Sequence, residues 1–140
     1  MPTLLVTGGN RGIGRELVRQ YAAAGWSVHT TARQPVDLGP DVTVHVLDVT
    51  DFAAIAALAD RLSGTPIDLL LANAGIYGGE SELGGFDFAV WQAVLRVNVL
   101  GPAAFAQAFA PHLAASQGRT FAVISSGLGS IAENTSGGIY

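Results

Sequence analysis

Short apolar runs alternate along this chain with longer stretches in which apolar residues recur every three or four positions. Five runs, residues 3–7, 27–32, 43–47, 67–72 and 119–125, are short and rich in leucine or β-branched residues, as buried strands are. The stretch 14–24 puts Leu17, Val18, Tyr21 and Ala22 at helical spacing and ends at Gly25, a residue suited to close a helix. Asp51 is placed to cap a second helix running to about residue 62, where Gly64 and Pro66 follow. Residues 86–98 and 101–115 read as two consecutive helices with Gly101-Pro102 at the joint. The segment 33–42 is polar and carries two prolines, and 75–85 carries five glycines, so both are expected as loops. Strands alternating with helices predict βαβ units, right-handed crossovers and a mostly parallel sheet in a single α/β domain.

Composition narrows the partners. The chain has 140 residues, 49% hydrophobic and 13% charged, which suits one domain with a real core. A net charge of -4 and seven unclustered Lys and Arg argue against nucleic acid. With no cysteine, disulfides, thiolate metal sites and cysteine nucleophiles are excluded, and no metal is expected. The first residues lack a basic flank and enter a glycine turn after a few apolar positions, unlike a secretory signal. The apolar region 97–115 is interrupted by Asn98, Gly101, Pro102, Gln107, Pro111 and His112, which argues against a membrane span. A cytoplasmic protein without a membrane partner is expected.

The candidate chemistry lies where the predicted strands end. After the first strand come Thr7-Gly8-Gly9-Asn10-Arg11-Gly12-Ile13-Gly14, and a helix follows. Gly8, Gly12 and Gly14 suit a sharp turn against a pyrophosphate, which the helix N-terminus would receive. The spacing Gly-x-x-x-Gly-x-Gly is one residue longer in its first gap than the general dinucleotide fingerprint, and a turn without a ligand is the plain alternative. Asn73-Ala74-Gly75 follows the fourth strand and serves either a site or a turn. Asp48-Val49 ends the third strand, where the carboxylate can accept from an adenine amine or merely enter the next helix. Asn98 inside an apolar helical pattern marks a kink or a functional side chain. Ser125 and Ser126 close the fifth strand, as turn formers or as hydroxyls aimed at the same crevice.

Together these marks resemble the short-chain dehydrogenase/reductase family over the whole chain. Thr-Gly-x-x-x-Gly-x-Gly is matched by Thr7 to Gly14, the adenine-side aspartate by Asp48, Asn-Ala-Gly by Asn73 to Gly75, the helix asparagine by Asn98 and the serine by Ser126. Ser125-Ser126-Gly-Leu-Gly-Ser and Thr7-Gly-Gly-Asn-Arg-Gly are similar in wording to carbonyl-reductase and C-factor-like members. The resemblance implies a Rossmann-type, doubly wound parallel sheet ordered 3-2-1-4-5, with Gly12, Asp48, Asn73 and Ser126 at its carboxyl edge. It also implies a nicotinamide cofactor, a small-molecule carbonyl or alcohol substrate and a homo-oligomeric full-length protein. Arg33, just past the second strand, stands where an NAD site would have an acidic residue, and Arg11 in the glycine turn is a second cation where a 2′-phosphate would sit, so NADP is expected over NAD. A solvated loop charge at Arg33 and a carbonyl cap at Arg11 are their plain readings.

The chain departs from the family at one place. A tyrosine followed by a lysine, Tyr-x-x-x-Lys, is the family pattern after the serine, yet the chain ends at Tyr140 and contains no lysine. Tyr140 is either the catalytic tyrosine or the first tyrosine of a Tyr-x-Tyr pattern whose second member lies beyond it. A phenol with a reference pKa of about 10 needs a nearby cation to exchange protons at neutral pH. The 140 residues are therefore expected to be the N-terminal part of a longer enzyme and inactive alone, the alternative being a catalytically incomplete dinucleotide-binding sensor or signalling protein.

Overall fold

The computed structural model describes residues 1–79, 84–133 and 135. Five parallel strands, β1 Thr3–Thr7, β2 Ser27–Ala32, β3 Val42–Val46, β4 Leu69–Ala72 and β5 Thr120–Val123, form one sheet in the order β3-β2-β1-β4-β5. The order is the expected one, and it reverses between β1 and β4, which opens a crevice beyond their carboxyl ends.

Central β1 is buried at every position because its side chains alternate between two covered faces. Leu5 joins Leu70 under α2 (Phe52–Arg61) and α4 (Gly101–Ala114), where Ile55, Leu58, Phe105 and Phe109 are fully buried. Leu4 and Val6 face the other way, toward Val18 of α1 (Gly12–Ala23) and Val28 of β2. Asp51 caps α2 as expected, its Oδ1 accepting from the Ala54 N–H at 2.9 Å. Gly25 takes φ +79° just past α1, the left-handed conformation that closes helices.

Element ends differ where a long-range bond competes with the local pattern. β4 begins at Leu69 rather than 67, because the Ile67 N–H donates to the His112 carbonyl. The Asp68 carboxylate accepts from the N–H groups of Thr3, Gln117 and Gly118. β5 is shorter than 119–125, since the chain leaves the sheet once the Ile124 N–H has bonded to the Ala72 carbonyl. The expected break at Gly101-Pro102 does not occur. Helix α3 (Phe88–Leu95), capped by Asp87, passes through a wide π turn at Arg96–Leu100 straight into α4. The Gly101 N–H donates five residues back, to the Arg96 carbonyl, and Pro102 has no N–H to restore the α-helical ladder. The continuous helix, Phe88–Ala114, is 27 residues long and by length and composition long and apolar enough to cross a membrane, contrary to the reading of 97–115 as too interrupted. In this fold its second half packs Phe105 and Phe109 into the core, while no residue of α3 or of the π turn is buried.

Candidate functional site

A cleft of about 490 Å³ opens at the carboxyl edge between β1 and β4. It is lined by all twelve residues expected on the cofactor: Gly8, Asn10, Arg11, Gly12, Ile13, Gly14, Arg33, Asp48, Val49, Asn73, Ala74 and Gly75. Thr31, Thr50, Ile76 and Val97 are among the other lining residues.

The glycine turn is built from inside the protein. The N–H groups of Gly8 and Gly9 reach the Thr31 carbonyl at 3.0 and 3.2 Å, and the Thr30 hydroxyl accepts from Gly9 while donating to the Val6 carbonyl. On the other side the Thr7 hydroxyl accepts from the N–H groups of Asn73 and Ala74, both at 3.0 Å. The Asn73 amide donates back to the Thr7 carbonyl at 3.0 Å, and its nitrogen lies 3.4 Å from the Gly8 carbonyl. A Cβ on Gly14 would fall 2.3 Å from the Gly8 oxygen and 2.5 Å from Asn73 Nδ2. Gly14 is therefore required by this junction and not by a ligand alone. Gly12 differs, for it adopts φ +53° and a Cβ there would meet nothing. Open space lies beside it, and Arg11 at the N-cap makes no side-chain capping bond, so the first N–H groups of α1 remain available to an anion.

Two residues past β3, Asp48 Oδ1 accepts from both the N–H and the hydroxyl of Thr50, at 2.8 and 2.7 Å. These bonds hold its carboxyl below the usual range, against partial burial, with smaller help from the charges of Arg33 and Arg96. The side chain is thus ionised at neutral pH, in the turn that leads into the Asp51 cap, as the helix-entry reading has it.

Asn98 sits where the long helix widens. It lies on the π turn, and its amide makes a two-way bond to Ile76, Oδ1 accepting from the N–H and Nδ2 donating to the carbonyl, each at 2.9 Å. The side chain pins the loop beyond Asn73 to the long helix. Ser126 stands at the same sheet edge, three residues beyond β5, and its Oγ accepts from the Leu128 N–H at 3.2 Å as the cap of a short 3-10 turn. Neither Asn98 nor Ser126 is among the residues lining the cleft, although Val97 and Ile76, which flank Asn98 in sequence or bond to it, are. Tyr140 lies outside the described residues. Thr7 is part of the glycine motif but was given no role of its own, and Thr30, Thr31 and Thr50 were not singled out; their only signal in the sequence is a β-branched hydroxyl residue at or near a strand end.

The family model for short-chain dehydrogenases matches residues 2–140. The chain belongs to the short-chain dehydrogenase/reductase family. It is 33% identical to the 1-hydroxy-2-glutathionyl-2-methyl-3-butene dehydrogenase of Rhodococcus, over all of this chain and 63% of that protein. A short-chain dehydrogenase/reductase from Burkholderia multivorans, solved with bound NADP, superposes with a TM-score of 0.86 at 29% identity, over 98% of this chain and 64% of that one. The carbonyl reductase Sniffer of D. melanogaster gives a TM-score of 0.87 at 25% identity, over 100% of this chain and 67% of that one. The chain spans less than two thirds of the length of the curated relatives it matches first.

Proposed function

We propose that residues 1–140 form one dinucleotide-binding domain, the N-terminal part of a longer NADP-dependent oxidoreductase acting on small carbonyl or alcohol substrates. The observation that carries the cofactor choice is that Arg11 and Arg33 line one cleft together with the open N-terminus of α1. Two guanidinium groups suit a ribose 2′-phosphate, and uncapped N–H groups suit a pyrophosphate. The relative from Burkholderia multivorans with bound NADP supports the same choice.

The nicotinamide, when bound, supplies the hydride chemistry. This chain's residues bind and orient. Asp48, ionised, has a second carboxylate oxygen for the adenine amine, and the Asn73-Ala74-Gly75 wall bounds the cleft on its β4 side. Ser126 Oγ accepts from the Leu128 N–H and donates to no acceptor among the described residues, so its hydroxyl can donate to a substrate carbonyl oxygen. Asn98 keeps Ile76, and with it the cleft wall, in place. Tyr140 is either the proton-transferring phenol or its neighbour two residues earlier in the sequence. The same reading takes the full-length protein to be a cytoplasmic homo-oligomer that acts without a nucleic-acid or membrane partner.

The test is a fluorescence titration of NADPH and NADH. NADPH should bind at least about tenfold more tightly, and Arg33→Asp should abolish that preference. Equal affinities in the parent protein, or an unchanged preference in the variant, would overturn the NADP assignment.

A further inference from the structure

The π turn holds both loops that wall the cleft. Asn98 grips one through Ile76, while Arg96, two residues earlier, reaches the other. Arg96 Nη2 donates to the Thr50 carbonyl at 2.9 Å, and the guanidinium lies over the Phe52 ring, 4.6 Å from its centroid. Beside this contact the chain of Gly101 runs against the Val49 carbonyl, where a Cβ would come to 3.1 Å. Thr50 is thus bonded on both sides. Its carbonyl is held by Arg96, and its N–H and hydroxyl are held by Asp48. The arrangement uses the two properties of arginine that lysine lacks, a planar face that stacks and an edge that donates in a fixed direction.

We infer that Arg96 is a positioning residue for the adenosine end of the dinucleotide, acting through Thr50 on the carboxylate of Asp48. The inference rests on the cofactor reading above and adds to it a residue outside the cleft lining. The π turn supplies the geometry, since the same helical turn that sends Asn98 to Ile76 sends Arg96 to Thr50. Removing the guanidinium frees the Asp48-Val49-Thr50 wall and degrades recognition of the adenine amine, whereas a side chain that only stapled a loop to a helix would not distinguish one base from another.

The test compares NADPH with its hypoxanthine analogue, in which an oxygen replaces the exocyclic amine that Asp48 would receive. Arg96→Met keeps the apolar stem over Phe52 and removes the charge and the donor. NADPH should bind about three- to tenfold more weakly to this variant, the hypoxanthine analogue should lose less, and discrimination between the two should shrink. Equal losses for both dinucleotides, or no loss for either, would overturn the role of Arg96. Should Arg96→Met not fold, Arg96→Lys decides, with a smaller loss in the same direction expected and unchanged affinity and discrimination overturning the proposal. A parent protein that binds neither dinucleotide would refute the cofactor reading, and this inference with it, before any variant is measured.

Discussion

Gly14→Ala is the sharpest probe of how the glycine turn is built. Its added Cβ would sit 2.3 Å from the Gly8 carbonyl oxygen and 2.5 Å from Asn73 Nδ2, each about 1 Å inside ordinary contact distance. One obstacle is backbone, and that backbone is tied to Thr31 through the Gly8 N–H, so it cannot swing aside. The other is an amide already donating to the Thr7 carbonyl, and moving it costs about 0.5–1.5 kcal/mol of hydrogen bonding. Overpacking at a buried position costs about 1–3 kcal/mol, against which alanine regains about 1 kcal/mol of helix propensity. The net expectation is a loss of about 1–3 kcal/mol, read as a lowered urea midpoint at unchanged slope. Adding Asn73→Ala removes one of the two obstacles, so the double variant should lose less than the sum of the singles. Gly14→Ala as stable as the parent, or strictly additive with Asn73→Ala, would refute the view that Gly14 answers to this junction.

Two other outcomes test different parts of the molecule. His29 and His45 bring Nδ1 and Nε2 to 3.1 Å with rings 11° from parallel, and burial pushes His45 down to about 4 and His29 below its ordinary value, with Arg61 adding to the effect on His45. Because the unfolded chain binds these protons first, stability should fall as pH drops below about 6.5, the histidines' share of the loss being complete near 4, and a urea midpoint that does not change between pH 7.5 and 5 would contradict the burial of the pair. In the full-length enzyme, Ser126→Ala should lower kcat by about 10²- to 10³-fold while leaving the NADPH dissociation constant unchanged, and parent-like turnover of aldehydes and quinones would remove Ser126 from the chemistry.

Local periodicity and turn chemistry made the strands, most helix limits and the lining of the cleft legible in the sequence. The bounds of β1 and β2, the Asp51 cap and the closure at Gly25 follow from residues within a few positions of one another. The gathering of the cleft-lining residues follows from the alternation of strands and helices, since parallel strands bring every carboxyl end to one edge. What depended on tertiary structure involves residues far apart along the chain. The Thr7 hydroxyl meets Asn73 and Ala74, 66 and 67 positions on, and Asn98 meets Ile76, 22 positions back. The stacking of His29 on His45 and the grip of Arg96 on Thr50 are of the same kind. The wide turn at Arg96–Leu100 is a further case, because a missing N–H at Pro102 says that the ladder must change, and only packing decides whether the helix breaks there or widens. Gly14 shows the difference within one residue: the motif marks it as a glycine, but the atoms that exclude a side chain belong to Gly8 and Asn73, and a motif contains no information about how close they come.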